Sequence, residues 1–360
     1  MSLGFLLTRL LLRFDSHIED LMSDISAAAL TPDGSLWVGS DELLAIERLS
    51  QVEPFIFAKH KRFFLNQFLD LFNTEDEIDI EGMDYSQGYL WFTGSHGTKR
   101  NKPKGKKEKK DIERLSEIKT DLNRYLLARI PVINGELVKS CSLSDSPNAK
   151  LTAACLQKTD NENILMEVLK EDPHLAPFLA LGLPSKDNGF DIEGLAVHGD
   201  KVFLGLRGPV LRGWAIILEL EVEEKNPGVL TLKEIGPEGE RYKKHFVNLN
   251  GLGVRELCLL NGDMLILAGP TMDLEGRMSV FCLKDILNCS ENTLSDAESG
   301  NLEVLFELPF VIGSDHAEGL ALFPCLGEGD SLLVVYDSPN PNRKLAPNEI
   351  FADVFRLRSS

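Results

Sequence analysis

The chain has 360 residues, a formal net charge of −18, and 43% hydrophobic and 26% charged residues. Such acidity argues against a general nucleic-acid-binding protein, because phosphate backbones would be repelled over most of the surface. An aromatic share of only 8%, with 29 glycines and 17 prolines, is typical of a turn-rich β protein.

The N-terminal apolar run, residues 6–14, predicts a β-strand. Arg9 and Arg13 interrupt it and no small-x-small cleavage site follows, so we do not expect it to act as a secretory signal. No run reaches the roughly 18 apolar residues of a membrane helix. The six cysteines are scattered without a C-x-x-C pair, which favours reduced thiols. We therefore expect a soluble, cytoplasmic protein with no membrane partner, and a monomer.

One phrase recurs along the chain. Asp79–Met83 and Asp191–Leu195 both begin Asp-Ile-Glu-Gly, and His316–Leu320 is a variant. Val254–Leu257 is a fainter copy, and in a degenerate copy at Asp24 a serine replaces the glutamate. Each copy is followed by a tight turn with glycine and a second apolar run, which is a strong hairpin signal.

The copies start at intervals of 55, 112, 63 and 62 residues. Repeats of this length with several strands each predict an all-β fold, a β-propeller. We expect one domain, residues 1–360, with five blades and six as the alternative. Short helical insertions are expected near 99–120 and 144–188. The last unit is one strand short, so the N-terminal strand is expected to close it.

Further apolar runs predict the outer strands. In chain order they cover residues 43–48, 54–58, 125–133, 136–142, 214–222, 229–234, 278–283, 302–308, 319–323, 331–336 and 350–357.

The repeated glutamates are the strongest candidates for a site, because equivalent positions of a propeller converge on its axis. They are Glu81, Glu193, Glu256 and Glu318. A ring of four carboxylates needs protons or a counter-ion, and Ca²⁺ accepts six to eight oxygen ligands in flexible geometry. Two alternatives stay open: arginines such as Arg255 and Arg207 neutralise the ring, or the carboxylates bind backbone amides and hold the units together.

A second polar set follows the next strand of each repeat. Its candidates for binding an anionic ligand are Lys99, Arg100, Arg207, Arg255 and Asp337. The alternative is a set of salt bridges between units. His316 replaces the aspartate of the repeat and is a candidate general base, as is His96; hydrogen-bonded structural roles are the alternative. The basic run over residues 99–110 is either a solvated loop or a dock for an acidic partner.

Phrases in every repeat resemble a bacterial propeller family known as domain of unknown function 3616. They include Leu36–Glu42, Ile78–Gly82, Gly94–Arg100, Gly205–Val210 and Val334–Pro339. The resemblance implies a propeller but no established activity. The Asp-x-Glu-Gly phrase is also similar to one in esterase-like, phytase-related propellers and other calcium-containing propellers.

Two functional hypotheses follow. The first is hydrolysis of an ester or phosphoester assisted by calcium, with the basic rim holding the anionic group and His316 or a glutamate handling the proton. The second is a propeller scaffold that binds a small anionic molecule or a protein without turnover.

Overall fold

The computed structural model describes residues 3–15, 21–143, 146–325 and 331–357. The chain is mostly β-structure. Among the helices in these ranges, none combines the length and the apolar character needed to span a membrane.

The strands of the described residues form five antiparallel units of four strands each. Strand β1 (Leu6–Arg13) comes first in the chain but belongs to the last unit. Unit 1 consists of β2 (Ile25–Leu30), β3 (Ser35–Ser40), β4 (Ala45–Glu53) and β5 (Ile56–Phe64).

Unit 2 carries a long excursion between its second and third strands. In chain order its region holds β6 (Ile80–Ser86), β7 (Tyr89–Gly94), β8 (Lys99–Arg100), α1 (Glu108–Ser116), β9 (Ile118–Lys119), β10 (Leu127–Ile133), β11 (Glu136–Leu137), β12 (Ser140–Leu143), β13 (Ser146–Thr152) and β14 (Ala154–Leu156). The four strands of the unit are β6, β7, β10 and β14. Helices α2 (Ile164–Leu169) and α3 (Ala176–Leu181) lead to unit 3.

Units 3, 4 and 5 follow without long excursions. Unit 3 contains β15 (Asp191–His198), β16 (Lys201–Gly208), β17 (Trp214–Asn226), β18 (Val229–Leu232) and β19 (Tyr242–Asn248). Unit 4 contains β20 (Gly253–Leu260), β21 (Asp263–Gly269), β22 (Ser279–Leu283) and β24 (Leu302–Glu307). The short β23 (Thr293–Ser295), between β22 and β24 in the chain, pairs in parallel with β19 of unit 3. Unit 5 contains β25 (His316–Leu322), β26 (Ser331–Asp337), β27 (Lys344–Ala346) and β28 (Glu349–Arg356). Short 3₁₀ turns lie at Leu21–Ser23, Leu65–Gln67, Leu122–Tyr125, Ser185–Asp187, Ile286–Asn288 and Pro341–Arg343.

The first strands of the five units form a closed ring. Strand β2 contacts β6, β6 contacts β15, β15 contacts β20, β20 contacts β25, and β25 returns to β2. Strand β1 pairs antiparallel with β28 and completes unit 5, which confirms the predicted closure by the N-terminal strand. The chain is therefore a β-propeller.

Two outer strands differ from the prediction. The fourth strand of unit 2 is β14, inside the insertion expected at 144–188, rather than residues 136–142. The fourth strand of unit 3 is β19, which pairs with β17, whereas residues 229–234 form the shorter β18. Residues 144 and 145 of that insertion lie outside the described ranges. Both strands were missed because each follows a connection longer than a hairpin turn.

The core lies between neighbouring units rather than within one. Five apolar clusters of described residues each join two consecutive units, so every sheet is covered on both faces. Trp37 of unit 1 packs with Phe92 of unit 2, and Trp91 of unit 2 packs with Leu204 of unit 3. This stacking explains why the second strands read as continuous apolar runs.

The glycine of the repeated phrase is required by close packing at the axis. A Cβ atom on Gly82 would lie 2.7 Å from Leu195 Cβ and 2.9 Å from Leu195 N. On Gly194 it would lie 2.8 Å from Leu257 Cγ, and on Gly319 it would lie 2.9 Å from Ala28 N. The glycine therefore lets each first strand approach the backbone of the next.

We expect Gly82→Ala to lower the free energy of unfolding by about 1–3 kcal/mol, because the neighbouring backbone has no room to move. Thermal and chemical unfolding would measure the loss. Ser116→Ala, on the exposed surface of α1, is the control and should leave stability within about 0.5 kcal/mol of the parent. Equal stability of Gly82→Ala and the parent would show that the axis has room for a Cβ atom at this position, contrary to the distances above.

Candidate functional site

A β-bulge at the start of the first strand places one extra residue toward the axis in each unit. The register between first and second strands shifts at the same point every time, for example between Ile192 and Gly194. Bulges re-aim side chains and are common beside functional sites. The bulged residues of the described units are Ser26, Glu81, Glu193, Arg255 and Glu318.

Glu256 is not the equivalent of the other three glutamates, which corrects the predicted four-glutamate ring. Its carboxylate is buried: Oε1 accepts hydrogen bonds from the amides of Leu195 (2.8 Å) and Leu257 (2.9 Å). It therefore joins units 3 and 4, as in the alternative structural interpretation. The ring position of unit 4 belongs to Arg255.

The error arose from the turns. Each of these hairpins has a two-residue turn. In units 2 and 4 the glycine is the second residue of the turn and follows a residue with positive φ, as in Gln87-Gly88 and Asn261-Gly262. In unit 3 the glycine, Gly199, is the first residue of the turn. Both arrangements suit two-residue hairpins, of type I′ and type II′ respectively. Counting back from the glycine therefore shifts the alignment of unit 4 by one residue.

Two buried arginines, Arg207 of unit 3 and Arg255 of unit 4, bind the carboxylates of units 3 and 5. Glu193 Oε1 lies 2.7 Å from Arg207 Nη1, and Glu193 Oε2 lies 2.9 Å from Arg255 Nε. Arg255 Nη2 also donates to Glu318, and Arg207 Nη1 lies 3.9 Å from Asp191. Glu193 is thus held between two guanidinium groups.

A third arginine holds the acidic residues of unit 2. Arg124 lies 2.9 Å from Asp79 and 2.8 Å from Glu77, and is only 6% exposed. Lys99 pairs with Glu77 and with Asp121 (2.9 Å). Arg124 is not among the predicted site residues, because it lies between repeats and enters the site through the turn before β10.

These groups line a cavity of about 510 Å³ at one end of the axis. The lining includes Asp41, Asp79, Glu81, Asp191, Glu193 and Glu318 together with Arg124 and Arg207. Of the predicted anion-binding residues, Lys99, Arg100, Arg207 and Asp337 line it. Arg100 pairs with Asp187 (2.7 Å), so Lys99, Arg100, Arg207 and Arg255 all have acidic partners. The predicted anion donors are therefore engaged.

Glu81 and Asp41 line the cavity and form no ion pair with any described residue; Glu42 and Asp273 form none either, but they are exposed. Burial raises the pKa of Asp41 to about 9, with Glu318 and Asp79 adding to the effect, and its Oδ1 atom is buried without a hydrogen-bond partner. Burial and the neighbouring Glu193 and Asp79 raise the pKa of Glu81 well above its usual range. Both groups therefore favour a proton or a cation.

Three further carboxylates of the cavity, Asp79, Asp191 and Glu318, have raised pKa values as well. Burial raises the pKa of Asp79 to about 6, of Asp191 to about 8 and of Glu318 to about 7. The arginines oppose this effect, and neighbouring carboxylates reinforce it. Groups whose pKa values are strongly shifted by burial and by specific charged neighbours are common at functional sites.

His316 lies at the rim, a third exposed, and lines a cavity of about 90 Å³ that shares Arg207, Glu318 and Asp337 with the larger one. Its Nδ1 lies 3.9 Å from Asp337 Oδ2 and its Nε2 lies 3.4 Å from Glu275 Oε1. The contact with Asp337 raises the pKa of His316. Its position suits an exchange of protons with a bound molecule.

His96 does not line either of these cavities. Its Nδ1 lies 2.9 Å from the carbonyl oxygen of Gly94, and its Nε2 lies 2.8 Å from Asn163 Nδ2. Burial lowers its pKa to about 4. Both ring nitrogens are engaged and the ring is neutral, so the geometry corrects its assignment as a catalytic candidate to a structural residue.

The described residues contain no group of three or more His, Cys, Asp or Glu side chains arranged to hold a metal ion. The six cysteines form no disulfide.

Comparisons with solved structures return propeller enzymes at low similarity. A streptogramin B lyase is 11% identical with a TM-score of 0.35, and the alignment covers 96% of this chain and 97% of that one. Virginiamycin B lyase from Staphylococcus aureus is 10% identical (TM-score 0.39; 97% and 99%), and the PQQ-bound aldose sugar dehydrogenase from Streptomyces coelicolor is 12% identical (0.36; 97% and 98%). Likeness at this level carries no argument about function.

A search of curated proteins finds no match. One family model, described as a protein of unknown function (DUF3616), matches residues 24–353. This match spans most of the chain, which therefore belongs to the DUF3616 family.

Proposed function

We propose that the axial cavity binds a positively charged group of a small molecule. The supporting observation is that the positively charged side chains of the cavity have partners of opposite charge, whereas two of its carboxylates do not. The three buried arginines, Arg124, Arg207 and Arg255, are each paired with carboxylates, whereas Glu81 and Asp41 have no counter-ion among the residues that the structure describes.

A bound cation would remove the main electrostatic penalty of the cavity. A buried carboxylate without a partner is unfavourable unless it is protonated or neutralised. An ammonium or guanidinium group placed between Glu81 and Asp41 would replace two protons by charge-assisted hydrogen bonds. The lining contains no Phe, Tyr or Trp, so an aromatic cage for a quaternary ammonium is not what this cavity offers.

Calcium fits the described donors less well than an organic cation. Six to eight oxygen ligands are usual for Ca²⁺, and the carboxylates of Glu193, Glu318 and Asp79 are already held by arginines. Glu81 and Asp41 form no such ion pair with a described residue, so their oxygens are available to a metal. Calcium therefore serves as a comparison ligand in the test below.

Hydrolysis of an ester is the second candidate, and the position of His316 favours it. The imidazole is partly exposed at the cavity rim, beside Glu318 and Asp337. It could take a proton from water while a protonated carboxyl group donates one to the leaving oxygen. Turnover lost in His316→Gln, with cation binding retained, would support this candidate.

The test is a binding panel on the full chain by calorimetry and thermal shift. We expect agmatine, spermidine or arginine to bind and to raise the melting temperature, and Glu81→Gln to weaken binding at least tenfold. The control is Glu223→Gln, an exposed residue of β17, which should bind like the parent. Calcium and magnesium test a metal site, and phosphate and citrate test an anionic ligand. Binding of the anions but not of any cation would overturn the proposal.

A further inference from the structure

The cavity face of the propeller exposes an unusual share of apolar side chains. The first strands run from the axial carboxylates to the opposite end, so the connections between second and third strands, and between consecutive units, all lie on the cavity face. Ten of the seventeen large apolar side chains exposed by the described residues lie on these connections. The most prominent are Ile112, Leu115, Leu181, Leu274, Phe310 and Ile312.

These residues surround one opening. Leu115 lines the larger cavity and Leu274 lines the smaller one, and the two cavities share Lys186 and Asp273. Ile312, 78% exposed, precedes His316 of the smaller cavity by four residues. Leu181, 71% exposed, ends α3 on the connection that enters the cavity at Ser185. The loop tips therefore lie around a common mouth.

The excursion of unit 2, residues 99–119, here called the arm, adds positive charge to this face. It has ten basic and four acidic residues on a chain of net charge −18. Its helix α1 buries no side chain and leaves Ile112 63% exposed. Seven of its lysines are exposed and form no ion pair with a described residue: Lys102, Lys104, Lys106, Lys107, Lys109, Lys110 and Lys119.

We propose that the cavity face docks on an anionic lipid surface through the arm lysines and the apolar loop tips. A flat bilayer reaches separate loop tips at once, whereas a single partner helix covers one groove. Lysines beside exposed aliphatic residues are the composition of interfacial membrane segments. Charges farther away are screened beyond about 8 Å at physiological ionic strength, so the acidic remainder does not cancel the local attraction.

The proposal revises the expectation of no membrane partner. That expectation considered only a spanning helix, which needs one long apolar run. Interfacial docking needs single apolar residues on one face, and only the fold brings these together.

The test is cosedimentation of the full chain with unilamellar vesicles of phosphatidylcholine alone or with 30% phosphatidylserine. We expect binding to the anionic vesicles that weakens at 0.5 M NaCl. Changing Lys106, Lys107, Lys109 and Lys110 together to glutamine should weaken it about tenfold or more. The matched control changes Lys139, Lys150, Lys225 and Lys284, exposed lysines of strands and connections away from the cavity face, to glutamine.

The apolar contribution has its own pair of variants. Leu274→Ser combined with Ile312→Ser should reduce binding, while Leu294→Ser, 65% exposed on β23, should not. Absence of binding to anionic vesicles at low salt would overturn the proposal, as would equal loss in the arm variant and its control. Self-association that the arm variant abolishes, without vesicle binding, would assign the face to a second copy of the chain instead.

Discussion

Replacing Glu193 by glutamine is expected to lower the free energy of unfolding by about 3–5 kcal/mol. The carboxylate is 2% exposed and lies between Arg207 and Arg255, which are themselves buried. The substitution leaves two buried guanidinium groups short of a counter-charge, and removing one partner of a buried ion pair carries a penalty of this size. Denaturant unfolding at pH 7.5 measures it, provided that the m-value is unchanged.

Glu81→Gln is the matched control, since Glu81 occupies the equivalent bulge of unit 2. No arginine pairs with Glu81 among the described residues, and its pKa is raised by burial and by neighbouring carboxylates. A neutral amide therefore replaces a group that resists ionisation, and stability should be unchanged or higher. An equal loss in both variants would show that the two bulge positions are electrostatically alike and would contradict the assigned ion pairs.

Stability is expected to fall by about 2–4 kcal/mol between pH 7 and pH 9. The pKa of Asp41 is raised to about 9 and that of Asp191 to about 8 in the folded chain, from 3.8 when unperturbed. Between these values the folded state binds more protons than the unfolded state, so the free energy of unfolding decreases as the pH rises. The stabilisation from the protonated Asp41 and Asp191 is complete below about pH 4 and is lost as the pH rises through their pKa values in the folded state.

The other groups with shifted pKa values either change stability outside the range from pH 7 to pH 9 or, like Asp41, make it fall as the pH rises. His96, with a pKa lowered to about 4, and Glu219, lowered to about 2, affect stability at acid pH, while the raised pKa of His316 acts in the same direction as that of Asp41. Denaturant unfolding at pH 7, 8 and 9 tests the slope, and Asp41→Asn should flatten it. Stability that rises over this range would show that the cavity carboxylates are ionised and already neutralised.

The predicted and observed folds agree where the signal is local. The Asp-Ile-Glu-Gly phrase at Asp79 and Asp191 marks the first strand of a unit, because the bulge needs the polar residue and the close packing needs the glycine. The apolar run of β1 and the missing strand of the last unit together predict the closure by the N-terminus. Each feature depends on residues that are neighbours in the chain.

The strands that the sequence missed have weaker local signals. Strand β14 has three residues and follows a long excursion, and β19 carries two lysines and a histidine. Their identity as fourth strands is decided by pairing with β10 and β17, which are far away in the sequence.

By itself, the sequence determined that this chain is a ring of β-units with acidic residues at its axis, because strand periodicity and turn residues act over a few positions. Only the tertiary structure decided which side chains face one another there. Arg255 rather than Glu256 occupies the axial bulge, Arg124 enters from between two repeats, and Glu81 and Asp41 have no counter-ion within the described part of the chain. These outcomes depend on strand register and on contacts between units, and one residue of register moves a side chain from one face of a strand to the other.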